Sequence, residues 1–170
     1  MWKWIPFFVI VATVGYSGVL LSSALKRRRC ELYQFLLGIR VIESEMNYSS
    51  SSLWLCFERG SHAVKTEIRN VFLRTAEEIR NSGNGESAFL GALESSRSDL
   101  GLTESDMEKI RRFAVGLGTS DMEHSIKNIC QLREQLELSA RDAEENEKKW
   151  GRVFRNGGWL MGFAAALLFV

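Results

Sequence analysis

Proline is almost missing from this chain: the single one, Pro6, sits near the N-terminus, and no later ring interrupts a helix. No stretch alternates apolar and polar residues as a half-buried strand does, so a sheet is not expected. Histidine is scarce, with only His62 and His124, and neither belongs to an H-E-x-x-H or Glu-x-x-His pair that would set metal ligands on one helix face. Cys30, Cys56 and Cys130 lack the C-x-x-C spacing of zinc and redox sites. Cys56 and Cys130 fall among apolar residues and read as core. There is no G-x-x-x-x-G-K-[ST] phosphate loop, no G-x-G-x-x-G and no G-x-S-x-G elbow. These absences argue against an enzyme. No catalytic, cofactor-binding or metal-binding residue is expected, and any ATP hydrolysis would belong to a partner.

Charge is absent from residues 4–25, WIPFFVIVATVGYSGVLLSSAL. About 20 apolar residues cross a bilayer as a helix, and Pro6 lies in the first turn, where its missing N–H does little harm. A cleaved signal peptide has a shorter apolar centre. Here the run is followed at once by Lys26, Arg27, Arg28 and Arg29, a block that resists export. Residues 1–29 are therefore expected to be an N-terminal transmembrane helix with a basic collar. A second uncharged run occupies 157–170. As a helix it rises about 21 Å, short of the roughly 30 Å apolar core of a bilayer. Residues 150–170 are expected to form a C-terminal membrane helix, either a full span or a partial insertion. Trp4, Trp150 and Trp159 lie at the ends of these runs, where indole anchors among lipid headgroups, and Arg152 adds to the second collar.

The formal net charge of +1 conceals a division of charge. All 21 acidic residues lie between Glu31 and Glu147, beside 13 lysines and arginines, for a net of −8; the other nine bases stand outside that span. Basic residues beside a membrane helix stay on the cytoplasmic side, where anionic lipid attracts them. Residues 30–149 are thus expected to be cytoplasmic. Their acidity argues against nucleic acid as a partner.

That middle region reads as helix throughout. Leu32, Phe35, Leu36, Ile39, Ile42 and Met46 step by three or four and end near Asn47. A serine loop leads to a short helix with Leu53, Cys56 and Phe57, which Gly60 is expected to close. Val64, Ile68, Val71, Phe72, Thr75 and Ile79 mark a third helix, ended by Ser82-Gly83-Asn84-Gly85. Phe89, Leu90 and Leu93 form the inner side of a fourth. Thr103 opens a fifth with acids in its first turn, and Met107, Ile110, Phe113, Ala114 and Leu117 face inward there. Gly118 breaks it, and Ser120-x-x-Glu123 is a capping-box pattern that starts a long last helix at Asp121. Met122, Ile126, Ile129, Leu136, Ala140 and Ala143 line its inner side. Its charged turns 141–149 are expected to stand in water as a stalk. The fold class is all-α: an antiparallel bundle of about six helices between two membrane-inserting apolar helices.

Several strings resemble the stage III sporulation protein AB family of endospore-forming bacteria. They are Leu25 to Arg29 after the first apolar run, Ile42-Glu43-Ser44-Glu45-Met46-Asn47-Tyr48, then Leu117-Gly118-Thr119-Ser120-Asp121 with Lys127, and Glu147 to Trp150. The chain departs from the family at Ser50 to Ser52, where a proline is usual, and at Ser125, Asn128, Arg155 and Asn156. The resemblance implies a non-catalytic inner-membrane platform in a secretion-like channel, set in the mother-cell membrane around the forespore. It implies a cytoplasmic domain like that of type II secretion F platform proteins. The implied partners are a secretion-type ATPase, stage III sporulation protein AA, and other membrane proteins of the same sporulation operon. The alternative is a membrane-anchored adaptor or signalling protein with another regulatory partner. Candidate contact residues are Glu43, Glu45, Tyr48, Gly118, Ser120, Asp121 and Glu123. Each also has a structural reading. Glu43 can pair with Arg40 or Lys127, Tyr48 can pack locally at its helix end, and Ser120 and Asp121 can serve as a helix cap.

Overall fold

The computed structural model describes residues 4–49, 52–115, 117, 122–151 and 153, without the side chains of 4–12, 14, 15, 49, 66 and 122–124. Among the described residues every regular element is helical: α1 (Trp4–Ser49), α2 (Leu53–Ala63), α3 (Thr66–Ser82), α4 (Gly85–Ser95), α5 (Glu104–Ala114) and α6 (Met122–Asn146). A 3₁₀ turn, Arg97–Asp99, joins α4 to α5, and a π turn, Glu147–Gly151, continues α6. The expected first apolar helix and first bundle helix are one element of 46 residues. Among the described residues no helix is long and apolar enough to cross a membrane. The first expected membrane segment is helical from Trp4, with its side chains described only in part, while the second lies largely outside the described residues.

The chain divides into two compact units, residues 30–140 and residues 1–29 with 141–170. In the first, each of α1 to α5 contributes one phenylalanine to a shared interior: Phe35, Phe57, Phe72, Phe89 and Phe113, all buried. Phe89 meets Phe35, Phe57 and Phe113 at ring-centroid distances of 6.4, 5.8 and 5.5 Å. Phe72 meets Phe35 edge-on at 5.1 Å. Edge-to-face packing places the positive rim of one ring against the negative face of the next, worth about 0.5–1.5 kcal/mol per pair beyond burial. Around them the described apolar positions expected from the three-four spacing are buried, with Leu53, Leu90 and Ile126 only half-covered and the Met122 side chain outside the description.

Contacts between helices run in opposite chain directions. From α1 to α2 the pairs are Gln34 with Lys65 and Glu45 with Arg59. From α1 to α6 they are Arg40 with Glu137 and Glu43 with Arg133. From α4 to α5, Gly85 approaches Leu117 while Glu94 holds Arg111. This is an antiparallel arrangement with short connections, as expected.

Local chemistry explains three of the helix ends. Gly83 takes φ 71°, a left-handed cap that donates its N–H to the Ile79 carbonyl. Asn84 caps α4 by accepting the Ser87 N–H at 3.1 Å. At α5, Thr103 Oγ1 accepts the Asp106 N–H while Asp106 accepts the Thr103 N–H, a capping box that the chain's acids had suggested only as a dipole effect.

Three expectations need correction. Gly60 does not end α2, which continues to Ala63. It lies buried mid-helix because a Cβ there would stand 2.9 Å from Ile42 Cγ1, so the glycine marks a close approach of α1 and α2. The third helix begins at Thr66, leaving Val64 as a buried residue in extended backbone. In the other unit, turns 141–149 are not a free stalk. Ala143 is buried, and Arg29 Nε lies 2.6 Å from Glu147 Oε2. A Cβ on Gly151 would meet Ser22 Oγ at 3.6 Å, so the end of α6 runs beside α1 there.

Candidate functional site

Glu43 and Glu45 stand two positions apart, about 200° around a helix, and so reach different neighbours. Glu43 turns to α6, with Arg133 Nε at 3.2 Å and the Cys130 thiol donating at 3.3 Å. Neither Arg40 nor Lys127, its expected partners, takes that place; Arg40 binds Glu137 at 2.9 Å. Glu45 turns to α2 and pairs with Arg59. Both glutamates therefore fasten α1 to its flanking helices. Burial first, then the hydrogen bond and charge of Glu43, push the Cys130 thiol up from its ordinary value. Burial and the Glu45 carboxylate do the same to Cys56. Both remain thiols at neutral pH, the form that is inert as a nucleophile.

Tyr48, expected to pack at its helix end, is 90% exposed. It closes α1 five residues before Leu53 opens α2. Gly85, at the start of α4, connects this corner to the end of α5. A Cβ there would lie 2.9 Å from Leu53 Cδ2 and 2.5 Å from the Leu117 carbonyl. Only glycine allows that approach. Leu53, five residues after Tyr48, and Leu117, which opens the second string, thus lie at the same end of unit 30–140. The Trp54 ring lies nearby on α2, with the Arg80 guanidinium 5.5 Å above it. Gly118, Ser120 and Asp121 lie outside the described residues, and Glu123 is placed on α6 without its side chain.

Of the expected membrane anchors, Lys26 and Arg27 are exposed, Arg28 and Arg29 half-buried, and Trp150 exposed with Lys149 Nζ 5.5 Å over its ring. The ion pair of Arg29 with Glu147 shows that the collar also serves the chain's own packing. Trp4 begins α1 without a described side chain; Arg152 and Trp159 lie outside the described residues. Among the described residues no three of His, Cys, Asp and Glu gather where a metal could be held.

One surface feature was not anticipated in the sequence. Between α5 and α6 lies a groove of about 280 Å³, lined by Lys109, Arg112 and a row of amides from α6. Its signal was available, since Asn128, Gln131 and Gln135 recur at helical spacing, but nothing in the pattern says which helix would face them.

A family model described as stage III sporulation protein AB matches residues 3–170. Stage III sporulation protein AB of Bacillus subtilis (strain 168) is 23% identical over 162 residues, spanning 95% of this chain and 94% of that protein. A solved structure of a stage III sporulation protein AB superposes with a TM-score of 0.67 at 21% identity. It covers 72% of this chain and 98% of the other, and the two share a fold.

Proposed function

The chain belongs to the stage III sporulation protein AB family, with the sporulation role that membership carries, and we propose that it acts there as a non-catalytic membrane platform that docks a secretion-type ATPase. Residues 4–25 and 150–170 anchor it in the mother-cell membrane around the forespore, with the helical bundle on the cytoplasmic side. The uncharged runs and their basic collars support that placement. The ATPase, stage III sporulation protein AA, engages the bundle end that carries Tyr48 and the turn Gly118 to Asp121, with Glu123 beside it. The observation that carries this reading is the approach of Gly85 to both Leu53, five residues after Tyr48, and Leu117, the first residue of the second family-like string. The exposure of Tyr48 there suits contact with a partner.

The test is co-purification of the full-length protein with the ATPase from sporulating cells, comparing Glu123→Lys with Glu145→Lys. Loss of the ATPase with the first and retention with the second supports the docking end. Equal retention, with unchanged helicity, rejects it. An adaptor role would instead appear as a different regulatory protein in both purifications, with the channel still assembled when the gene is deleted.

A further inference from the structure

We infer that the groove between α5 and α6 is a binding site for an acidic, apolar-tipped segment of a partner protein. It runs back along the flanks of the two helices from the docking end proposed above, with Val115 two residues from Leu117. Its chemistry differs from the surface around it. Residues 31–147 carry a net of −8, yet among the described residues the groove is lined by two cations, Lys109 and Arg112, and by no carboxylate. The Lys109 ammonium donates to Ser139 Oγ on α6 at 2.7 Å. Arg112 is 75% exposed at its side chain and leans on Glu108 at 3.3 Å, an i,i+4 surface pair of the kind that contributes little. An incoming carboxylate can take the guanidinium from it, in a two-pronged hydrogen bond.

The opposite wall is neutral and polar. Asn128, Gln131 and Gln135 project from one stripe of α6, and each amide offers both a donor and an acceptor to a peptide backbone. The floor and one mouth are apolar: Phe113 and Leu132 lie beneath, and Val115 stands 64% exposed at the end of α5. One turn beyond Gln135 the same stripe continues in Leu138, 62% exposed. A volume of about 280 Å³ admits a few side chains rather than a whole helix. Cations, amides and an apolar mouth in a space of that size match a short segment with a carboxylate beside an aliphatic residue. A membrane surface would call for a row of cations over an exposed apolar face, and here the amides outnumber the cations.

The probe is a short fluorescein-labelled peptide rich in Glu and Leu, titrated by anisotropy into the full-length protein in neutral detergent. Binding should weaken about tenfold or more in Arg112→Glu with Gln131→Glu, and less in Arg112→Gln. Binding should persist in Arg69→Glu, an exposed α3 position, and should fall as salt is raised. Circular dichroism checks that each variant keeps its helicity. Equal binding by the wild type and the double variant overturns the assignment. So does equal binding of a peptide with Lys in place of Glu, or displacement of the peptide by phosphatidylglycerol vesicles.

Discussion

The phenylalanine interior of α1–α5 and the charged cluster that ties α4 to α5 both join helices, yet they do so by different physics. In the interior, Phe35, Phe57, Phe72, Phe89 and Phe113 are almost wholly removed from water. Each ring contributes through area and shape, roughly 25 cal/mol per Å² buried. In the cluster, Arg111 bridges Glu94 and Glu104 at 2.6 and 2.7 Å, and Arg97 holds Glu104 at 2.7 Å. The Glu104 hydrogen bond, then that of Glu94, raise the Arg111 guanidinium, and Arg111 in turn lowers the Glu104 carboxyl. Glu94, Arg97 and Glu104 face water and Arg111 is half-buried, so screening and side-chain entropy cancel most of the attraction. Short distances therefore identify geometry, while burial identifies what holds the bundle together.

The largest effect should come from the interior. Phe89→Ala removes contacts with three rings at once, and urea unfolding should show a loss of about 3–5 kcal/mol. A loss below about 1 kcal/mol would remove the interior's claim to dominance.

Glycines sharpen the same contrast, because identical substitutions meet different surroundings. A Cβ on Gly38 would stand 2.0 Å from Phe72 Cε2, whereas one on Gly91 would meet nothing within 4 Å. Gly38→Ala should destabilise by about 1–3 kcal/mol through overpacking. Gly91→Ala should stabilise by about 0.5–1 kcal/mol, since alanine costs less than glycine in a helix. Thermal melting of the pair, read side by side, distinguishes crowding from propensity.

The α1–α6 seam lies between the two extremes. Glu43→Gln should cost about 1–2 kcal/mol, as the part-buried Arg133 guanidinium loses the carboxylate charge it is paired with. It should also let the Cys130 thiol titrate nearer its ordinary value, since Glu43 is one of the causes that raise it. The sign of the pH effect follows from linkage. Cys130 and Cys56 have folded-state values above their unfolded ones. Their contribution is therefore whole below the ordinary thiol value and is lost as pH rises through the folded value. Melting midpoints should fall on the alkaline side, and Cys130→Ala should flatten that limb. A steeper limb in Cys130→Ala would contradict the assignment.

The smallest effect belongs to the exposed cluster. Arg111→Met should leave the melting midpoint nearly unchanged, while the Glu104 carboxyl, followed by NMR titration, moves back up. Because its folded value is lowered, any contribution of Glu104 is present above the ordinary carboxylate range and is lost on acidification. A large drop in midpoint would show that exposed charge matters more here than screening allows.

The helices were legible in the sequence because their apolar residues repeat at the helical period and because Gly83, Asn84 and Thr103 have unambiguous local roles. Gly60 was misread as a terminator because glycine has the same letter at a helix end and at a helix crossing. Tyr48 stayed open between local packing and partner contact because an aromatic residue at a helix end carries no sign of whether a neighbour covers it. Glu43 was paired with Arg40 or Lys127 by proximity in sequence or family string, although charge pairing depends on which helix faces it.

By itself the sequence determined the all-α class, the inner faces of the helices, the division of charge into an acidic middle and basic flanks, and the family. These follow from periodicity and composition, which act along the chain. The tertiary structure alone decided that α1 crosses α2 and α3 at Gly38 and Gly60, and that Glu43 meets Arg133. It also decided that Leu53 and Leu117 reach one end, and that amides of α6 and cations of α5 share a groove. Each depends on the rotation and depth at which two helices pack, and close packing of side-chain volumes sets both.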